Sequence, residues 1–269
     1  MPGTLLLVGC GKMGGALLAG WLDRKAAEQY HVIEPGPGAE AFKGKPGVTI
    51  HSGPGSLPSN LSPEVVVMAV KPQTMTEALP TYRPFADKGA AFLSIAAGKT
   101  LGYFARHLGD RAAVVRSMPN TPAAIGRGIA VLCASPAVSL VQKDLCGALL
   151  AAAGEVGWVE DEALIDAVTG VSGSGPAYVF LMIECLAKAG VEAGLAPELA
   201  MRLARATVAG SGELARLSSE PASKLRENVT SPGGTTRAAL DVLMAADGLE
   251  PLMVRAVAAA TRRSRELAE

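Results

Sequence analysis

Short apolar runs alternate with helix-like stretches along the first 160 residues. Eight of these runs show little polar alternation, which is typical of strands covered on both faces of a parallel sheet. The candidate strands are residues 4–9, 31–34, 48–50, 65–70, 90–95, 112–118, 128–134 and 155–160. Helical stretches between them include residues 12–25, 100–108 and 136–152. The pattern predicts a doubly wound α/β domain over residues 1–160.

The pattern changes after residue 161, where the apolar runs take on helical spacing. The candidate helices are residues 162–170, 176–194, 197–217, 221–228, 235–246 and 249–267. Segment 177–191 is apolar on almost every side, and a small bundle offers too little surface to bury such a helix. We therefore expect residues 161–269 to form an all-helical domain that pairs with a second copy of the chain.

Charge and hydropathy exclude several classes of partner. The 25 Lys and Arg residues balance the 25 Asp and Glu residues, and the chain has no long basic run that would attract nucleic acid. The longest apolar stretches, such as 179–183, are far shorter than the roughly 20 residues of a membrane span. The N-terminus has no cationic leader. We expect a cytoplasmic protein without a membrane or nucleic-acid partner.

Cysteine and histidine are sparse and scattered. The four Cys and three His residues show no short spacing of the kind that metal sites use. The sequence therefore predicts no metal site.

The segment GCGKMG follows the first candidate strand and opens the first candidate helix. It matches G-x-G-x-x-G, whose glycines allow a tight turn, approach to a pyrophosphate and close packing of helix on strand. The helix N-terminus attracts the anion. The cofactor-binding candidates here are Gly9, Cys10, Gly11, Lys12, Met13 and Gly14.

Two further strand ends add candidates for the same dinucleotide. Glu34 ends the second strand 20 residues after Gly14, where a carboxylate accepts a hydrogen bond from the ribose 2′-hydroxyl and repels a 2′-phosphate. This position favours NADH over NADPH. The segment AVKP follows the fourth strand, at the edge where open α/β sheets bind ligands. Its residues are Ala69, Val70, Lys71 and Pro72.

Hydroxyacid dehydrogenases also join a Rossmann domain to a helical one, and they carry G-x-x-G-x-G-x-x-x-K-x-x-N at the junction. The glycines are present here as Gly170, Gly173 and Gly175, but Val179 and Met182 occupy the Lys and Asn positions. Neither apolar side chain can move a hydroxyl proton, so alcohol oxidation is excluded.

Several longer motifs resemble one family, pyrroline-5-carboxylate reductase. They are GCGKMG, AVKP, SIAAG (94–98), RSMPNTP (116–122), DAVTGVSGSGPAYVF (166–180) and NVTSPGGTT (228–236). The resemblance implies hydride transfer from NADH or NADPH to the imine carbon of 1-pyrroline-5-carboxylate, which gives L-proline. A related cyclic imine carboxylate remains an alternative substrate, and a non-enzymatic dinucleotide-binding regulator remains an alternative class.

The resemblance also implies roles for individual residues. Ser231 and Pro232 suit the N-cap and first position of a helix, and Gly233 and Gly234 would present backbone N–H groups to the substrate carboxylate. The Thr236 hydroxyl is the implied proton relay, while Ala97 and Asn120 line the nicotinamide pocket. The implied substrate-binding residues are Glu162, Asn228, Ser231, Gly233, Gly234 and Thr235.

The family further implies a homodimer through the helical domain, with a ring of dimers as a larger assembly. The active site is then expected between the Rossmann domain and helical elements, with residues from two subunits. Many relatives carry small polar or Arg residues after the second strand, whereas this chain has Glu34 and Pro35. NADH therefore remains the favoured donor.

Overall fold

The computed structural model describes residues 3–268, in which eight strands form one sheet. Every predicted strand is present within two residues of its expected bounds. The strands are β1 (Thr4–Val8), β2 (Gln29–Ile33), β3 (Val48–His51), β4 (Val65–Met68), β5 (Ala91–Ser94), β6 (Val114–Met118), β7 (Gly128–Ala134) and β8 (Gly154–Trp158).

The strand order is β3-β2-β1-β4-β5-β6-β7-β8. Strands β1 to β6 are parallel to one another, and β1 lies between β2 and β4. The chain therefore changes its direction of travel across the sheet after β3, which opens a crevice at the carboxyl ends of β1 and β4. The Rossmann prediction is confirmed.

The last two strands, β7 and β8, run against the other six. Strand β7 pairs antiparallel with β6, although it pairs parallel with β8. The connection from Met118 to Gly128 contains only the 3₁₀ segment Thr121–Ile125. A parallel crossover needs about a dozen residues or more. The short connection therefore returns the chain as a hairpin.

The sheet is covered on both faces, as its apolar strands predict. Leu5 and Leu7 of β1 belong to one buried cluster, whereas Leu6 and Val8 belong to the other. All four side chains are almost fully buried. Because successive side chains in a strand point to opposite faces, both faces of β1 are in the core.

Short helices cover the sheet. They are α1 (Lys12–Arg24), α2 (Pro72–Ala78), α3 (Arg83–Asp87), α4 (Leu101–Leu108), α5 (Leu140–Ala151) and α6 (Leu164–Val168). A π-helical turn, Thr169–Gly173, follows α6. The sequence pattern did not predict α2 and α3. Prolines near the start of each, and in the 3₁₀ segment Leu79–Tyr82 between them, hide the helical periodicity.

The remaining helices confirm the predicted all-helical half. They are α7 (Gly175–Glu192), α8 (Pro197–Leu217), α9 (Ala222–Asn228), α10 (Thr235–Leu243) and α11 (Leu249–Glu266).

The chain forms two compact units. The first runs to Gly173 and includes the chain from Ala260 onward, and the second is Ser174–Ala259. Helix α11 therefore contributes to both. Its last turn joins the first unit through the Ser264 hydroxyl, which donates to Asp166 Oδ1 at 2.7 Å. A functional domain boundary at residue 160 stays a prediction.

Helix α7 leaves large apolar side chains exposed. Phe180 is 59% exposed and Leu181 is 57% exposed. The helical stretch Leu164–Glu192 is long and apolar enough to cross a membrane by length and composition alone. No uninterrupted apolar run in the sequence is this long, so run length alone does not indicate the apolar character of this helical stretch. Long apolar helices also occur in the helical interfaces of soluble proteins.

Candidate functional site

The predicted cofactor residues come together at one edge of the sheet. Strands β1, β2, β4, β5 and β6 are parallel, so their carboxyl ends lie on the same side. Gly9–Gly14 follow β1, Glu34 follows β2, Ala69–Pro72 follow β4, Ala97 follows β5 and Asn120 follows β6. All of them belong to the first unit.

Each glycine of the β1–α1 turn is suited to its position for a different structural reason. Gly9 has a φ of 93°, and a Cβ atom there would lie 2.8 Å from the carbonyl oxygen of Ala69. A Cβ atom on Gly14 would overlap the carbonyl oxygen of Gly9. A Cβ atom on Gly11 would meet no protein atom within 4 Å. Gly9 and Gly14 therefore permit close packing, whereas Gly11 leaves open space for a ligand.

Helix α1 begins in this turn with Gly11 as its N-cap, and no side chain caps it. The N–H groups of Lys12, Met13 and Gly14 have no acceptor inside the helix because they belong to its first turn. They carry the positive end of the helix dipole. The turn therefore fits the diphosphate of a dinucleotide.

Glu34 is held against the glycine turn. Its Oε2 accepts a hydrogen bond from the Cys10 N–H at 2.7 Å, and its Oε1 accepts one from the Gly36 N–H at 2.9 Å. Burial, and then the charge of Glu34, raise the pKa of the Cys10 thiol to about 11. The thiol therefore stays neutral, and Cys10 contributes to this site through its backbone.

A cavity of about 760 Å³ lies at this edge. Its lining includes Gly11, Glu34 and Lys71 together with Thr74 and Tyr82. Burial raises the pKa of Tyr82 to about 12, so its hydroxyl stays protonated at neutral pH. A cavity of this size, beside an anion-binding turn, can hold part of a dinucleotide.

Ala97 and Asn120 differ in how they are placed. Ala97 is exposed in the loop between β5 and α4. The Asn120 amide donates to the Ser172 carbonyl oxygen at 3.2 Å, and its Oδ1 accepts from the Ile129 N–H at 2.9 Å. Both polar ends of Asn120 thus have protein partners. Asn120 ties the start of the β6–β7 connection to the start of β7 and to the turn after α6.

Glu162 has partners that the sequence did not reveal. Its Oε1 accepts from Arg116 Nη1 at 2.7 Å and from the Leu101 N–H at 2.8 Å. Arg116 lies in β6 and is 3% exposed. A buried Arg inside an otherwise apolar strand was the available signal, because a buried charge requires a partner. The sequence did not indicate which carboxylate pairs with Arg116.

The SPGGTT segment forms a turn followed by a helix. The Gly234 N–H donates to the Ser231 carbonyl oxygen at 3.0 Å, and Gly233 has a φ of 69°. Pro232 followed by a residue at positive φ is typical of a type II turn, which favours glycine. Helix α10 starts at Thr235 with Gly234 as its N-cap.

Two expectations about this segment are therefore wrong. Ser231 does not cap the helix, because the turn places the helix start three residues later. Gly234 does not offer a free N–H group, because the turn uses it. The N–H groups without an acceptor inside α10 belong instead to its first turn, at Thr235, Thr236 and Arg237.

The predicted substrate residues fall into two groups. Glu162 belongs to the first unit, whereas Asn228, Ser231 and Gly233–Thr236 belong to the second. Asn228 ends α9, and its amide donates to Glu220 Oε2 at 3.1 Å. Ser231 and Thr235 are exposed, and Thr236 is half-buried.

Within residues 3–268, no group of three or more His, Cys, Asp or Glu side chains is arranged to hold a metal ion. Cys10, Cys133 and Cys146 are buried as free thiols, and Cys185 is exposed.

Two family models match the chain. Residues 162–267 match the model described as pyrroline-5-carboxylate reductase dimerisation, and residues 4–98 match the model of coenzyme F420-dependent NADP oxidoreductases. The chain is an oxidoreductase with an NAD(P)-binding Rossmann domain, and its helical half is of a type that mediates oligomerisation.

Individual relatives agree over nearly the whole length. Pyrroline-5-carboxylate reductase of Pseudomonas aeruginosa is 39% identical and covers 98% of this chain and 97% of its own. The structure of a pyrroline-5-carboxylate reductase from Coxiella burnetii has a TM-score of 0.92 at 32% identity, with 98% of each chain covered. Plasmodium falciparum pyrroline carboxylate reductase with NADP bound has a TM-score of 0.81 at 29% identity, covering 99% and 98%.

Proposed function

The chain belongs to the pyrroline-5-carboxylate reductase family, and from that premise we propose which residues bind the cofactor, bind the substrate and pass the proton. The enzyme reduces 1-pyrroline-5-carboxylate to L-proline, the last step of proline biosynthesis, with NAD(P)H as reductant. The observation that carries this function is the 39% identity to a reductase of that name over 98% of the chain.

The cofactor site is assigned to the strand edge of the first unit. When bound, NAD(P)H supplies a hydride from its nicotinamide ring. The backbone of Gly9–Gly14 would hold the diphosphate, and Ala69–Pro72 would line the dinucleotide cavity. Ala97 and Asn120 would lie on the nicotinamide side. The open space at Gly11 and the uncapped start of α1 support this assignment.

We assign NADH as the preferred donor because of Glu34. The two N–H groups that bind its carboxylate keep a negative charge fixed beside the glycine turn. A carboxylate there accepts a ribose hydroxyl and repels a 2′-phosphate. The Plasmodium falciparum relative was solved with NADP bound, so a 2′-phosphate is accommodated in that protein.

The substrate carboxylate is assigned to the start of α10. The Ser231 hydroxyl and the N–H groups of Thr235 and Thr236 would bind it at the positive helix end. Gly233 and Gly234 contribute by forming the turn and by leaving the approach free of side chains. This assignment explains why a helix start contains two glycines.

Reduction adds a hydride to the imine carbon and a proton to the ring nitrogen, which takes up the electron pair of the C=N bond. We assign the Thr236 hydroxyl as the group that passes this proton. An imine nitrogen is basic, so a weak relay and good positioning are sufficient. Glu162 and Asn228 are assigned to the substrate side, where their hydrogen bonds to Leu101 and Glu220 hold their side chains in place.

The assembly is assigned as a homodimer through the helical half, with a ring of dimers as the larger form. Exposed apolar side chains on α7 and α8 support this assignment. They include Val179, Phe180, Leu181, Met182, Leu203, Leu214 and Leu217. Burying such a surface against a second copy removes apolar area from water. We also assign the protein to the cytoplasm, since both the substrate and the cofactor are soluble metabolites.

The direct test is a spectrophotometric assay of NAD(P)H consumption with five-membered and six-membered cyclic imine carboxylates. We expect the highest kcat/KM with 1-pyrroline-5-carboxylate. Preference for the six-membered ring would indicate a related imine reductase. Absence of turnover with both rings, in protein that still binds NADH, would indicate a dinucleotide-binding regulator.

Thr236→Ala should lower kcat about a hundred-fold and leave the affinity for NADH unchanged, because only the proton relay is lost. Thr236→Ser keeps the hydroxyl and should restore most of the rate. The matched control is Thr230→Ala in the same segment, where the hydroxyl donates to the Arg226 carbonyl oxygen. Steady-state kinetics check this result, and an unchanged kcat in Thr236→Ala removes Thr236 from the mechanism.

Glu34→Ser should raise the KM for NADH about ten-fold, since charge-assisted hydrogen bonds contribute about 1.5–3 kcal/mol. It should lower the KM for NADPH because the repulsion of the 2′-phosphate is removed. Glu40→Ser is the control, since Glu40 is an exposed carboxylate in the same loop. The measurement is the KM of each variant for NADH and for NADPH. An equal effect of the two variants means that net charge, rather than the position of Glu34, sets the preference.

Phe180→Glu should convert the assembly to monomers, because it places a charge in the proposed apolar interface. Lys43→Glu changes an exposed charge in the first unit and should leave the mass unchanged. Sedimentation equilibrium measures the mass of each variant. If Phe180→Glu keeps the wild-type mass, the interface does not include this face of α7.

A further inference from the structure

The loop between β5 and α4 carries Ala97, the proposed nicotinamide contact, so the inference below rests on the proposed function. This loop, residues 95–100, is short and contains Gly98 at a φ of 76°. Its two ends are the last residue of β5, Ser94, and the first residue of α4, Leu101. Whatever fixes these two residues also fixes the position of Ala97.

The α4 end of the loop is held by Glu162. Its Oε1 accepts from the Leu101 N–H at 2.8 Å, which satisfies one of the N–H groups that α4 cannot satisfy itself. The local cap, the Thr100 hydroxyl, accepts from the Tyr103 N–H at 3.0 Å. The start of α4 is thus fixed by one neighbour in sequence and by one carboxylate 61 residues away.

Arg116 fixes that carboxylate. Its Nη1 donates to the same oxygen, Glu162 Oε1, at 2.7 Å, and its side chain is 4% exposed. The nearby Cys133 thiol does not compete for the guanidinium, because burial and the charge of Glu162 raise its pKa and keep it neutral. Replacing a buried ion pair by apolar residues of similar volume is often neutral or stabilising. Stability alone therefore gives weak grounds for an Arg at this place.

The β5 end of the loop is held by Ser117, which follows Arg116 in β6. The Ser117 hydroxyl donates to the Ser94 carbonyl oxygen at 2.9 Å. Neighbouring residues of a strand point to opposite faces of the sheet. Arg116 and Ser117 therefore hold the two ends of one loop from opposite faces of β6.

We propose that Arg116 is a positioning residue for hydride transfer. Through Glu162 it holds the start of α4, and thereby the loop that presents Ala97 to the nicotinamide ring. Misplacing a reacting group by about 1 Å reduces the rate about a hundred-fold, so a small shift of this loop is sufficient to slow the chemical step.

The first test does not require turnover. Hydrogen–deuterium exchange of the wild type, Arg116→Met and Ser135→Ala reports on residues 95–101. Arg116→Met should exchange at least ten-fold faster in this segment. Ser135→Ala is the matched control, because the Ser135 hydroxyl bonds to Val114 and Ala112 at the other end of β6. It should leave the segment unchanged. Equal protection in the wild type and Arg116→Met overturns the proposal.

The second test separates positioning from loss of folded protein. Arg116→Met should lower kcat ten- to a hundred-fold with the KM for NADH changed less than three-fold. The deuterium isotope effect on kcat, with label at the transferred position, should rise as hydride transfer becomes rate-limiting. Fewer folded molecules would lower the apparent kcat without changing the isotope effect. A lower rate with the wild-type isotope effect therefore contradicts the proposal.

Two milder variants cover the case in which Arg116→Met does not fold. Arg116→Lys keeps the charge and should retain more of the rate, while Glu162→Gln keeps an oxygen for the Leu101 N–H but loses the ion pair. Wild-type exchange rates and isotope effects in both would reject the proposal. A wild type that turns over neither imine would reject the proposed function, whereas the exchange experiment would still decide the role of Arg116.

Discussion

The close approach of three backbone segments at the carboxyl end of β1 is the constraint on which the dinucleotide site depends. Gly9 lies against the carbonyl of Ala69, and Gly14 lies against the carbonyl of Gly9. A Cβ atom at Gly9 would push the end of β1 away from Ala69. A Cβ atom at Gly14 would push α1 away from the end of β1, and the N–H groups of its first turn would no longer lie at the strand edge. Packing and anion binding are therefore consequences of the same missing side chains.

The proposed carboxylate site at the start of α10 uses glycine for a different purpose. At SPGGTT, Gly233 is not required for close packing, because a Cβ atom there would meet no atom within 4 Å, whereas one on Gly234 would lie 3.2 Å from the Ser231 carbonyl oxygen. Gly233 supplies the positive φ of the turn, and Gly234 begins the helix without a side-chain cap. A capping Ser or Asp at position 234 would direct an oxygen at the same N–H groups and would compete with an anion for them. An uncapped helix start is less stable but remains available to a ligand.

The sequence predicted most of the fold, because apolar periodicity is a local signal, and the spacing of Gly9, Gly11 and Gly14 indicated the turn between β1 and α1. It did not predict the direction of β7, which depends on the length and shape of one connection. It also misplaced the cap of α10, because Ser-Pro suits both a helix start and a turn, and only the positive φ of Gly233 distinguishes them. The Arg116–Glu162 pair could not be predicted from local sequence signals, because the two residues are 46 positions apart. A buried Arg indicates that a partner exists without identifying it.

The helical half illustrates how the substrate determines what the protein must supply. Reducing an imine requires a hydride, a proton and good positioning, whereas oxidising an alcohol requires a group that removes a hydroxyl proton. In the hydroxyacid dehydrogenase pattern that group follows the glycines of GVSGSG, and here α7 has Val179 and Met182 at the corresponding positions. Both side chains are exposed in the single chain. Positions that an alcohol dehydrogenase needs for catalysis are thus free, in an imine reductase, to serve an apolar interface.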